Sequence, residues 1–112
     1  HQEQGRFDDA MSKFVEAKAV LEAVGAADTF DLAGLLNNMA LIHYGHGRFD
    51  DAMSKFVEAK AVLEAVGAAD TPDFALLLNN MGRIHQEQGR FDDAMSKFVE
   101  AKAVLEAVGA AD

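Results

Sequence analysis

"GRFDDAMSKFVEAKAVLEAVGAAD", from Gly47 to Asp70, decides how this chain folds, because the same 24 residues also run from Gly5 to Asp28 and from Gly89 to Asp112. The copies stand at a constant step of 42 residues. A sustained period between about 20 and 50 residues marks stacked units, since one such unit cannot bury its apolar face alone. The complete unit is read as Thr71 to Asp112. Residues 29–70 follow the same outline behind a different front half, and residues 1–28 form a partial unit, so that 1–112 make a single repeat domain.

The repeated block reads as a helix. In its last copy Phe91, Ala94, Met95, Phe98, Ala101, Leu105 and Val108 recur at steps of three and four, the spacing of one helical face. Asp92 and Asp93 fall in the first turn, where acidic charge complements the amide dipoles. Gly109 follows the last periodic residue, where a left-handed cap is expected. Val99, Ala103, Val104 and Ala107 form a second apolar strip, which predicts neighbours on more than one side. Ser96, Lys97, Glu100, Lys102 and Glu106 are left for water, with the Lys102 stem free to cover apolar surface.

The connecting segment Thr71 to Gly89 reads as another helix, capped by Thr71, opened by Pro72 at its first position and closed by Gly89. Its core stripe is Phe74, Leu77, Leu78, Met81, Ile84 and His85. The equivalent helix, Phe30 to His46, lacks the proline and carries Gly34 and Gly45, each costing about 1 kcal/mol relative to alanine. It is expected to be the weaker helix, held by packing. Gly-Arg-Phe and Gly-Ala-Ala-Asp alternate as turns, both short enough to force antiparallel neighbours. Calling the connecting helices A and the constant ones B, the chain reads as five helices in B-A-B-A-B order, with His1 to Gln4 as the last turn of an A helix.

Composition narrows the function. Half of the 112 residues are hydrophobic, too many for a disordered segment. Nineteen acidic against 10 basic residues give a net charge of -9 and no basic patch, which argues against a partner that is nucleic acid and favours cationic or neutral ones. Cysteine is absent, so no disulfide framework or thiolate chemistry is available. No apolar run approaches the roughly 18 residues of a membrane span and no secretory signal precedes the first block, so a soluble, cytoplasmic protein without a membrane partner is expected.

These residues resemble the tetratricopeptide repeat. In Thr71 to Asp112 the match runs through Leu78, Met81-Gly82, His85, Gly89, Phe91, Ala94, Phe98 and Ala101, with Ala40 replacing Gly82 one unit earlier. Two departures stand out: His1, His43 and His85 occupy the family's usual aromatic position, and its closing proline is missing. The unit exceeds the family's usual 34 residues by about one turn per helix. That length and the stretches "LLNNMA" and "LLNNMG" are similar to the longer repeats of kinesin light chain. The resemblance implies an all-α, right-handed solenoid of antiparallel helix pairs whose concave wall is built largely by the A helices. Packing does not account for identical surface residues such as Ser12, Ser54 and Ser96, so recent duplication or design from one template must be added. The A helices do differ. One presents Gly34, Asn37, Asn38, Leu41 and Tyr44, the other Leu76, Asn79, Asn80, Arg83 and Gln86.

Asn offers both a donor and an acceptor, enough to bind a peptide backbone bidentately, and the resemblance points to Asn38 and Asn80 for that role, beside Asn37 and Asn79. The competing reading gives each Asn a local partner or water. His43 and His46, three apart, could face one metal, but a histidine pair needs further ligands, and a packed role in the aromatic slot is favoured for His43 and His85. Asp8-Asp9, Asp50-Asp51 and Asp92-Asp93 sit at helix starts and do not face each other, which favours a dipole role. No Ser-His-Asp set or phosphate-cradling loop is legible, so no catalysis, cofactor or metal is expected. The function read from the sequence is a non-catalytic interaction scaffold. It binds an extended peptide or protein partner along the A-helix groove through Asn37, Asn38, Leu41, Tyr44, Asn79, Asn80, Arg83 and Gln86. The alternative is a self-assembling module, a homo-oligomer joined through terminal helices that end in the same apolar stripe used internally.

Overall fold

The computed structural model describes residues 2–25 and 29–110, with side chains from residue 5 to 25 and from 29 to 109. Five helices follow one another: α1 Gln2–Ala23, α2 Phe30–Gly45, α3 Phe49–Ala65, α4 Pro72–Glu87 and α5 Phe91–Ala110. The described residues contain no strand. The constant blocks form α1, α3 and α5, and the variable segments form α2 and α4. His1 lies outside the described residues.

Both variable helices start at a threonine. Thr29 Oγ1 accepts from the Leu32 amide and Thr71 Oγ1 from the Phe74 amide, each at 3.2 Å, satisfying one of the donors a helix start leaves open. Thr71 also donates to the Ala68 carbonyl at 2.8 Å, tying the α3–α4 connection to the next helix. The end of α3 turns at Gly67, whose φ of 75° suits glycine. The Gly67 amide bonds Glu64 O at 3.1 Å and the Ala68 amide bonds Leu63 O at 2.8 Å, the paired closure that ends many helices. Ala68 is buried, which adds the apolar contact this closure favours. Gly47–Arg48 and Gly89–Arg90 close α2 and α4 with the same bond pattern.

The ends of the chain depart from the sequence expectation. Gly5-Arg6-Phe7 does not turn: α1 runs unbroken from Gln2 to Ala23, so residues 2–4 form no separate turn of an A helix. Gly5 accordingly lacks the left-handed conformation that Gly47 and Gly89 adopt. Gly109 likewise sits inside α5 and is not a left-handed cap.

α2 packs extensively on α3 and α4 on α5, with lighter contact between α3 and α4 and between α1 and α2. The core runs through Leu32, Leu36, Met39 and Ala40 of α2, Ala52, Phe56, Ala59 and Leu63 of α3, and Phe74, Leu77, Leu78, Met81 and Ile84 of α4. α2 therefore holds by packing despite its glycines. At Gly82 the α4 backbone lies so close to α5 that an added Cβ would meet Phe98 Cε1 at 2.7 Å. Extents of 44 × 37 × 18 Å describe a flat slab, its thin dimension two helix layers deep. The second apolar strip of the constant block is mostly solvent-facing. Val57, Ala61 and Ala65 of α3 are exposed and only Val62 is buried.

Identical sequence meets unequal surroundings. Ala59 and Ala101 are buried against α2 and α4, whereas Ala17 of α1 is exposed. Leu63 is buried beside α4 at 5% exposure, whereas Leu105 of α5, with no helix after it, is 52% exposed. α3 alone is covered on both sides.

Candidate functional site

α2 and α4 lie on either side of a seam floored by α3, and the seam has an open half and a closed half. At the N-terminal half a cavity of about 210 Å³ lies between Phe30, Ala33, Gly34 and Asn37 of α2, Ala59 and Leu63 of α3, and Asp73, Leu76 and Leu77 of α4. Phe30 and Leu76 stand exposed at its rim, and a Cβ added to Gly34 would meet nothing within 4 Å. At the C-terminal half Leu41, Tyr44, Phe56, Asn80 and Arg83 close around a cleft of about 10 Å³. The Arg83 guanidinium sits 5.3 Å from the centre of the Tyr44 ring, a cation–π contact across the seam. Tyr44 also meets Phe49 edge-on, with ring centres 5.5 Å apart.

A third cavity, about 350 Å³, lies between Pro72, Ala75, Leu76 and Asn79 of α4 and Ala101 and Leu105 of α5. Each of these residues follows a residue of the first cavity by 42 positions, so the two cavities occupy equivalent places in successive units. The later one is wider because no helix stands where α4 closes the first.

The eight residues singled out from the sequence are divided by this geometry. Leu41, Tyr44, Asn80 and Arg83 come together at the closed cleft. Asn37 borders the first open cavity and Asn79 the later one. Asn38 and Gln86 are exposed and border neither. Asn38 and Asn80, equivalent in sequence, are unlike in surroundings: Asn80 is 7% exposed, covered from the α2 side, while Asn38 faces the side where α1 leaves the seam open. Phe30, Leu63 and Asp73 belong to the open cavity but do not stand out in the sequence. Their common signal is the superposition of units, which sets Phe30 against Pro72 and Gly34 against Leu76 at one mouth.

His43 is buried in the aromatic position of α2, its ring 5.4 Å from Phe7 in an edge contact. Its Nδ1 and that of His85 are buried without a hydrogen-bond partner. Burial pushes His43 below the ordinary imidazole value. The Asp51 carboxylate opposes this, and Arg48, Lys55 and His46 add to the lowering. His46 is exposed, with Nδ1 3.0 Å from the Ile42 carbonyl, and the Arg48 guanidinium lies 4.0 Å above the Phe7 ring. Phe7 is thus clamped at the α2–α3 turn. Among the described residues no three His, Cys, Asp or Glu side chains gather as a metal site.

A model of the family described as tetratricopeptide repeat matches residues 31–107. The chain belongs to that family. Tetratricopeptide repeats generally mediate protein–protein interaction and are of a non-catalytic scaffold type. The all-helical order and the α2–α3 and α4–α5 pairs agree with the family's helical solenoid. No curated protein matches the sequence. Among the described residues no helix is long and apolar enough to cross a membrane.

Proposed function

We propose that this tetratricopeptide repeat domain, built of a partial unit at 1–28 and full units at 29–70 and 71–112, is a non-catalytic cytoplasmic scaffold. It holds an extended peptide along the seam between α2 and α4, the concave side of a right-handed superhelix. The observation that carries this reading is that the seam is lined by the helices that differ between units, while the constant helices stand behind them. Asn38 and Asn80 hold the peptide backbone, and Leu41, Tyr44 and Arg83 select its side chains. Because Asn80 lies under Tyr44 and Arg83, its amide reaches a peptide when that cation–π contact opens. Asn37 and Asn79 at the cavity mouths and Gln86 beyond the seam complete the contact set. The test is a peptide selected from a random display library against the wild-type chain: Asn38→Ala with Asn80→Ala weakens its binding at least about tenfold, the loss of one good bidentate contact. Unchanged affinity sinks the reading.

One observation favours a second reading, self-association. Met53 and Leu63 of α3 are sheltered, whereas Met95 and Leu105 of the identical α5 are exposed, together with Phe91. Sedimentation velocity over a wide dilution series separates the two. Growth with concentration that Leu105→Glu abolishes and Arg83→Ala leaves intact supports assembly through the ends; one monomeric species at every concentration rejects it.

A further inference from the structure

Asp73 stands at the rim of the 210 Å³ cavity with no hydrogen bond or ion pair among the described residues. Around it the cavity is mostly apolar, with Asn37 the other polar residue: Leu63 and Ala59 form the floor, and Phe30 and Leu76 the lips. Two cations of α3 and α4 make other contacts. Lys60 pairs with Glu64 at 3.4 Å and leans toward the Phe74 ring, and Arg83 lies on Tyr44 in the closed half of the seam. A largely apolar slot with one carboxylate at its rim that no described side chain pairs is the complement of a long aliphatic stem that ends in a cation.

We propose that this cavity is a subsite for a lysine or arginine side chain of the bound peptide, with its stem between Phe30 and Leu76 and its cation at Asp73. The proposal rests on the groove reading above and adds the chemistry of one peptide position. The chain's net charge of -9 draws a basic segment toward the seam. The subsite recurs one unit later in altered form. There Pro72 replaces Phe30 and Leu76 replaces Gly34.

The test uses N-butylguanidinium as probe and N-butylurea as its neutral counterpart, each titrated at low salt into the 15N-labelled chain and followed by amide shifts. The expected result is saturable movement of the Gly34, Ala59 and Asp73 amides, with the cation bound about two- to five-fold more tightly, the range of an exposed ion pair. Asp73→Asn removes the preference and leaves N-butylurea binding unchanged. Gly34→Leu, which adds a side chain where a Cβ meets nothing within 4 Å, fills the mouth and removes binding of both probes while the remaining spectrum keeps its dispersion. Equal affinity for the two probes in the wild-type chain overturns the assignment of a basic side chain. Shifts scattered over other acidic residues, or no saturation at these amides, overturn the subsite. Neither result bears on the Asn38 and Asn80 substitution, so the groove reading stands or falls separately.

Discussion

Leu63 and Leu105 occupy the same place in identical 24-residue blocks, one beside α4 and the other with no helix after it. Replacing each by alanine leaves helix propensity and local sequence matched, so the difference between the two losses reads out what α4 contributes. Leu63 is 5% exposed, and burial of a leucine is worth about 1.5–3 kcal/mol before any cavity is counted. Core Leu→Ala changes cost about 2–5 kcal/mol, and because Leu63 borders an open cavity the low end applies, about 2–3 kcal/mol. Leu105 is 52% exposed, so roughly half the transfer term remains and water fills the gap, giving about 1 kcal/mol. A gap of about 1–2 kcal/mol is expected, or about 4–8 °C in Tm for a domain of this size. Urea titrations followed by far-ultraviolet circular dichroism measure it, run at widely separated protein concentrations. Equal losses at the lowest concentration would refute the claim that α4 covers what α5 leaves bare. A loss at Leu105 that grows with concentration would instead show a second molecule seated there.

Two glycines give a paired prediction. Gly34→Ala meets no neighbour and stabilises α2 by about 1 kcal/mol, whereas Gly82→Ala drives a methyl onto the Phe98 ring and falls short of that gain by at least about 1 kcal/mol; thermal melts that rank them equally contradict the close approach. His43 supplies a pH dependence. Its folded-state value lies below the ordinary one near 6.5, so the unfolded chain takes up the proton first. Stability is full above about pH 7 and declines as pH falls through 6.5 toward the folded value, and His43→Leu flattens that decline; a urea midpoint with the same slope in the variant removes His43 as the cause.

The helices were legible because their signals are local. Steps of three and four mark the faces, Thr71 and Pro72 mark a start, and Gly47, Gly67 and Gly89 mark ends. The core stripe of α4 from Phe74 to Ile84 is buried as its spacing predicts, and His85 is half-buried. What the sequence could not show depends on neighbours. Phe7 at 5% exposure and Phe91 at 66% are the same residue in the same block, but Phe7 lies inside α1 against the α2–α3 turn while Phe91 opens α5 after a turn of its own. The divergence of Asn38 from Asn80 has the same origin, since Tyr44 and Arg83 come from different helices. The open cavity is harder still, because Phe30, Leu63 and Asp73 belong to three helices and carry no shared local pattern.

Gly67 and Gly109 are the same glycine of the same block, yet one reverses the chain and the other carries the helix onward. The block's ending is therefore a conditional stop codon for helix growth, executed when Ala68 finds cover and Thr71 secures its carbonyl. A body that docks on α5 as α4 docks on α3, with its own cap over the residue after Gly109, would flip that glycine to a left-handed conformation. The Gly109 amide is thus a built-in signal lamp for occupancy of the chain's last face.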